Sequence, residues 1–224
     1  MFEGGYIQWR ILRMNGIQKY ISPDFFNNKT MLELGCAYAD FGNMFYNLGS
    51  IVTSSDARNE HLEVVNTKYP HINTLRIDCD SDKIVEHYDI ILHCGLLNHL
   101  HEIEEHLENV AQQCDVLILE SLVCDSDDNT FSISVHESGN NQAYNGKGIR
   151  PSPSYIERVL ENNGFEYKVI KDPILNGDRN LDGPDLCNYT LYDWEITNSK
   201  NYNYTMVRFW ICWKPGKCPL INPE

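Results

Sequence analysis

Seven short apolar runs punctuate this chain, with helix-period segments between them, and that rhythm restricts the fold to a parallel sheet covered by helices, an α/β architecture. The runs are Met31 to Leu34, Ile51 to Ser55, Thr74 to Ile77, Tyr88 to Cys94, Asp115 to Glu120, Phe165 to Ile170 and Met206 to Trp213. Phe41, Phe45 and Leu48 recur at helical spacing, as do Leu62, Val65 and Tyr69, and then Ile103, Leu107 and Val110. The stretch PSPSYIERVLENNG marks a further helix. Its N-cap is either Ser152 ahead of Pro153 or Ser154 with Glu157 as a capping box, and Gly164 is its stop.

Two stretches break the rhythm. Residues 124–150 are polar and rich in Gly and Asn, and residues 172–205 carry Tyr189, Tyr192, Trp194, Tyr202 and Tyr204 among acids. Loops this long in a compact domain are usually functional, and both follow central strands, so both are expected to cover a site at the strands' carboxyl ends. The 224 residues are enough for one good-sized core, and a single domain over 1–224 with two insertions is expected.

Charge narrows the partners. With 18 basic and 32 acidic residues the formal charge is -14, which repels nucleic acid and anionic membranes at long range. A neutral or cationic small molecule is the expected ligand class; oligomeric state is not legible. The eight cysteines form no CxxC pair and sit mostly in apolar surroundings, so reduced thiols and a cytoplasmic location are expected. The N-terminal residues lack a basic segment leading into an apolar run, and no apolar run is long enough to span a bilayer.

The chemistry concentrates in MLELGCAYADFG, residues 31–42, a buried strand that turns at Gly35 into a helix. A dinucleotide would place its pyrophosphate on that helix N-terminus, where G-x-G-x-x-G lets the backbone approach. Here Ala37 and Ala39 follow Gly35, and Glu33 precedes it, a carboxylate that would repel phosphate and suit an ammonium or sulfonium. Asp56 ends the next run, where an acid can accept both hydroxyls of a ribose, and Asp78 ends the third, within reach of an adenine edge. Three acids after three successive strands describe an aminoacyl-type nucleoside.

These segments resemble the class I SAM-dependent methyltransferases. LELGCAYADFG resembles their first motif, VTSSDAR their ribose-binding acid, LRIDCD the adenine-side acid, and YDIILHCGLLNHLHE the fourth strand and its loop; RPSPSYIERVLENNGFE and RFWICWK resemble the late helix and last strand. The resemblance implies a Rossmann-like three-layer sandwich whose seven-stranded, mostly parallel sheet ends in an antiparallel strand, with S-adenosylmethionine (SAM) as cofactor. It implies that Glu33 and the backbone of Gly35, Cys36 and Ala37 hold the methionine portion, Asp56 with Ala57 the ribose, and Asp78 with Cys79 the adenine. His93 would flank the sulfonium through its main chain. YIQWRILR resembles a lead-in helix within about 1–27, from which Arg10 or Arg13 would pair with the ligand carboxylate. Ala37 and Ala39 stand where family members often have glycine.

His99 and His101 lie just past the fourth strand and are candidates for a base that relieves an acceptor of its proton; packing or capping of the next helix is the competing role for each. His136 and Tyr144, in the first insertion, are further candidates. The run Asp125 to Asn129 lacks the glycine and terminal glutamate of an EF-hand, and a solvated loop is expected there, with no metal site. The expected activity is methyl transfer to oxygen or nitrogen of a small-molecule acceptor, a sugar or another metabolite. The competing readings are a non-catalytic SAM-binding protein, a SAM-cleaving enzyme and an NAD(P)-dependent oxidoreductase.

Overall fold

The computed structural model of the protein describes residues 5–139, 142–176, 196–200 and 202–222. Its strands are β1 (Thr30–Leu34), β2 (Ile51–Asp56), β3 (Asn73–Arg76), β4 (Tyr88–Cys94), β5 (Cys114–Cys124), β6 (Ser132–His136), β7 (Lys147–Pro151), β8 (Glu166–Val169) and β9 (Tyr202–Trp213). The helices are α1 (Gly5–Ile17), α2 (Asp40–Tyr46), α3 (Asn59–Lys68), α4 (Ile103–Gln112), α5 (Pro153–Asn162) and α6 (Pro173–Asn176).

Seven strands form one sheet in the order β3-β2-β1-β4-β5-β9-β8. The β1, β2, β3, β4 and β5 pairings are parallel, and β9 runs antiparallel to both neighbours, β5 and β8. All seven apolar runs are therefore strands of one sheet, and the antiparallel last strand is where the resemblance puts it. The central strands are near-continuous apolar runs because both faces are covered. Leu32, Leu34 and Ile91 pack under α4 and α5 with Leu107 and Ile156, whereas Met31, Ile90 and Leu92 face the side of α1, α2 and α3 with Ile17, Phe45 and Val65.

Local chemistry fixes several boundaries. Ser152, not Ser154, caps α5: its Oγ accepts the Tyr155 N–H at 3.0 Å, and Pro153 takes the first helical position, where a missing N–H leaves nothing unsatisfied. Gly42 lets α2 lie directly on β1, since a Cβ there would collide with Glu33 Oε2 and sit 2.7 Å from Ser54 Oγ. Gly42→Ala is therefore expected to destabilise the fold by about 1–3 kcal/mol through overpacking, measurable as a lower urea midpoint with unchanged slope.

The first insertion is not the structureless loop expected. β6 and β7 pair antiparallel into a hairpin, with His136 opposite Lys147. The run Asp125 to Asn129 is tied to residues 197–199 and to its own turn: Asp125 accepts hydrogen bonds from the Thr197 and Ser199 N–H groups, and Asp128 from that of Thr130. Tyr189, Tyr192 and Trp194 of the second insertion, and Cys187, lie outside the described residues, as do the side chains of Tyr202 and Tyr204. The seven cysteines among the described residues are all free thiols. No helix among the described residues is long and apolar enough to cross a membrane.

Candidate active site

The strand order reverses between β1 and β4, and in an open parallel sheet a ligand crevice opens at such a point, beyond the carboxyl ends of the strands. A cavity open to solvent lies there, with about 870 Å³ of space between its walls when the open solvent at its mouth is included. Gly35, Ala37, Asp56, Ala57, Asp78 and Cys79 line it. Five more lining residues come from three other places: Arg10 from α1, Leu96 and His99 from the segment after β4, and Gln142 and Tyr144 from the first insertion.

The turn after β1 is glycine-like without being glycine-rich. Gly35 has φ +64°, and a Cβ there would press on Leu96 at 3.0 Å. Ala37 and Ala39 also take left-handed backbone, at φ +50° and +54°, which costs roughly 1–2 kcal/mol each for an L residue. Part of the compensation is visible: the Ala37 N–H donates to Asp56 Oδ2 at 3.0 Å, and the Cys36 N–H to the Ser55 carbonyl at 2.8 Å. Asp56 Oδ1 also accepts the Arg58 N–H at 2.9 Å, and His61 Nδ1 stands 3.1 Å from Oδ2. The β1 turn is thereby held against the end of β2.

Glu33 opens onto a smaller recess that adjoins the cavity and shares Trp9, Arg10, Gly35 and Cys94 with it. Burial pushes its carboxyl up to about 7, even though the Ser54 hydroxyl donates to it at 2.6 Å and the charge of Arg10 pulls the other way. Cys36 lines this recess and not the main cavity. Arg10 stands 3.6 Å from Asp40 at the start of α2.

Four of the expected site residues line neither the cavity nor its recess. Arg13 does not line the cavity: its guanidinium is fully buried and bound to Glu120 on β5, Nε to Oε2 at 3.2 Å. His93, expected to act through its main chain, is not among the lining residues, which here are Cys94 and Gly95; its side chain meets His106 in the core, Nε2 to Nε2 at 2.9 Å. His101 is exposed beyond the loop, where its backbone N–H donates to Asp80 Oδ1 at 2.7 Å. His136 lies on the hairpin beside Gly146 and does not line the cavity.

Of the candidate bases His99 and Tyr144 line the cavity, and His99 is the one candidate histidine to do so, with a partner the sequence did not reveal. Glu137 Oε2 sits 2.5 Å from His99 Nδ1, and Arg150 Nη2 donates to Glu137 Oε1 at 2.5 Å. Arg58 and Trp9 are further unforeseen lining residues. Arg58 stacks over Tyr144 at 5.3 Å and donates to the Gln142 carbonyl at 3.1 Å, tying the insertion to the end of β2. The alternating SISVH and KGIRP segments around a Gly/Asn-rich tip were the available signal for this hairpin.

Sheet order, the antiparallel β9 and the position of the cavity define the class I SAM-dependent methyltransferase fold. Solved structures with this fold include the N-terminal domain of EvdMO1 crystallised in the presence of S-adenosylhomocysteine (SAH) and D-fucose, with TM-score 0.66 and 15% identity over 90% of this chain and 81% of that one. A SAM-dependent methyltransferase from Mesorhizobium loti superposes with TM-score 0.59 and 13% identity, over 84% of this chain and 92% of that one. Magnesium protoporphyrin IX methyltransferase from Synechocystis PCC 6803, with bound SAH, gives 0.56 and 12% over 94% and 84%. No family model matches the sequence, and no curated protein matches it.

Proposed function

We propose that this protein is a SAM-dependent methyltransferase that transfers a methyl group to oxygen or nitrogen of a small-molecule acceptor. The observation that carries this reading is the convergence of the acid-bearing ends of β1, β2 and β3 on one cavity and its recess, at a turn guarded by a carboxylate where a phosphate site would need none. The residues fit the cofactor: Glu33 suits its ammonium, Arg10 its carboxylate, Asp56 its ribose hydroxyls, and Asp78 with Cys79 its adenine. When bound it supplies a methyl group on a cationic sulfur. The chain's own part is alignment of acceptor and methyl group. SAH in the neighbouring structures, and D-fucose in the presence of which EvdMO1 was crystallised, support the cofactor and a small acceptor.

Incubation with methyl-labelled SAM and a panel of sugars, phenols and amines tests it. Labelled acceptor with equimolar SAH is the expected result. Methylthioadenosine or adenosine released without an acceptor would move the assignment to SAM cleavage, and tight SAM binding with no transfer across the panel would move it to a non-catalytic binder.

The raised Glu33 adds a pH signature. A group with its folded pKa near 7 is largely protonated at pH 6, and a cation beside it favours the carboxylate, so binding expels a proton there. Affinity for SAH should accordingly rise by roughly tenfold between about pH 6 and about pH 8, and Glu33→Gln should flatten the dependence. Calorimetry over that range checks both.

A further inference from the structure

His99 belongs to a buried charge network that the hairpin contributes and the sheet does not. Besides His99, Glu137 Oε2 accepts the Ala143 N–H at 2.9 Å, while Oε1 is held by Arg150. Arg150 Nη1 donates to the Asn98 carbonyl at 2.6 Å, so one guanidinium clamps both the carboxylate and the turn that carries His99. Gly148 makes the approach possible, because a Cβ there would lie 2.5 Å from the Asn98 carbonyl oxygen and 3.2 Å from Glu137 Oε2. Burial alone would raise the Glu137 carboxyl, yet His99, Arg150 and the Ala143 N–H bring it down to about 2. Glu137 and Arg150 are 3% and 1% exposed. A buried ion pair contributes little net stability compared with apolar residues of the same volume, so its presence beside a cavity-lining histidine points to a task.

We propose that His99 is the general base for a hydroxyl acceptor, an alcohol or a phenol, with Glu137 and Arg150 as the residues that position it. This rests on the methyltransferase reading above. Nδ1 is committed to Glu137, so the proton is taken at Nε2. As an electron pair of the acceptor oxygen forms the new O–C bond, the pair of the broken C–S bond stays on sulfur. The hydroxyl proton passes to Nε2 and then to water. Glu137 fixes the tautomer and stabilises the imidazolium, and Arg150 keeps Glu137 ionised and in place.

The surroundings favour a hydroxyl over an ammonium. Among the described residues, Leu96, Leu100, Gln142 and Tyr144 line the cavity with His99 and are neutral, and Arg58 over Tyr144 is cationic. The carboxylate on His99 is balanced by Arg150, and Asp80 accepts the His101 and Glu102 N–H groups. An ammonium acceptor would meet Arg58 and a sulfonium, while of the lining carboxylates Asp56 and Asp78 are assigned to the cofactor and Asp80 is engaged by two backbone N–H groups. Thiols and carboxylates, already ionised or nearly so, would need no such base.

Long-range proton–nitrogen NMR of the histidine rings in the full chain, alone and with SAH, tests the arrangement. We expect neutral His99 as the Nδ1–H tautomer with a strongly deshielded Nδ1 proton. Glu137→Gln should lower its pKa by about one unit or more, and Glu137→Asp should restore part of that shift. In transfer assays on the alcohol and phenol members of the panel, Glu137→Gln should lower kcat by about tenfold or more with KM and SAH affinity held, and move the acid limb of the pH–rate profile with the NMR titration. His99→Gln, at a partly exposed site, should keep SAH affinity and lose about a hundredfold in kcat, with partial rescue by added imidazole. An Nε2–H tautomer, a His99 titration indifferent to Glu137→Gln, or turnover confined to amines, thiols or carboxylates would overturn the proposal. Failure of the wild type to bind SAH would overturn the parent reading instead, and the ring tautomer would still decide the His99–Glu137 pairing.

Discussion

Arg13→Ala should lower the unfolding free energy by about 3–5 kcal/mol, the effect of breaking a buried ion pair by removing one member. Neither Arg13 nor Glu120 has any side-chain exposure, and the two lie 3.2 Å apart between α1 and the middle of the sheet. The guanidinium also donates to the Ile174 carbonyl and stacks on Trp9 at 4.8 Å, so one residue joins α1, α6 and β5. Removing it leaves the Glu120 carboxylate inside the core without that cation, and a carboxylate so placed is costly to keep ionised. Urea unfolding should show the loss as a lower midpoint. SAH affinity of the folded variant should stay within about twofold of wild type, because Arg13 does not line the cavity. Weakened SAH binding at unchanged stability would return Arg13 to the ligand site.

The second large effect is on affinity. Asp56→Asn preserves shape but turns one accepting oxygen into a donor, and Asp56 uses both oxygens: Oδ1 for the Arg58 N–H, Oδ2 for the Ala37 N–H and His61. The amide cannot satisfy both N–H groups and also accept from a ribose. Loss of a charged acceptor corresponds to about 1.5–3 kcal/mol, so SAM and SAH should each bind roughly ten- to a hundredfold more weakly. Because the same carboxylate secures the left-handed turn at Ala37, a smaller loss of stability should accompany it. Equal affinities in wild type and variant would remove Asp56 from the site.

What could be read before the structure was local. A strand buried on both faces writes a continuous apolar run, and an acid at its end falls at the sheet's carboxyl edge whatever the rest of the chain does, so β1, β2, β4, β5, Glu33 and Asp56 were legible, whereas β3 is an exposed edge strand marked by its short run ahead of Asp78. What stayed hidden depended on distant partners. Arg10 and Arg13 sit three residues apart on one helix face, and nothing near them separates the cavity residue from the core residue. Glu120, 107 positions along the chain, makes that choice. His99 and His101 differ for the same reason, since Glu137 is 38 positions from His99, on the hairpin of the first insertion. The His93–His106 contact is likewise a packing outcome, one ring from β4 and one from α4.

In the function proposed above, Glu33 stands beside the first turn to face a positively charged ligand, and calorimetric titration of the protein with SAM, SAH and NADH tests that proposal most directly. The account predicts micromolar binding of SAM and SAH at one site per chain, weakened by Asp56→Asn, and no heat of binding with NADH. Binding of NADH, or no binding of SAM and SAH by the folded protein, would contradict it.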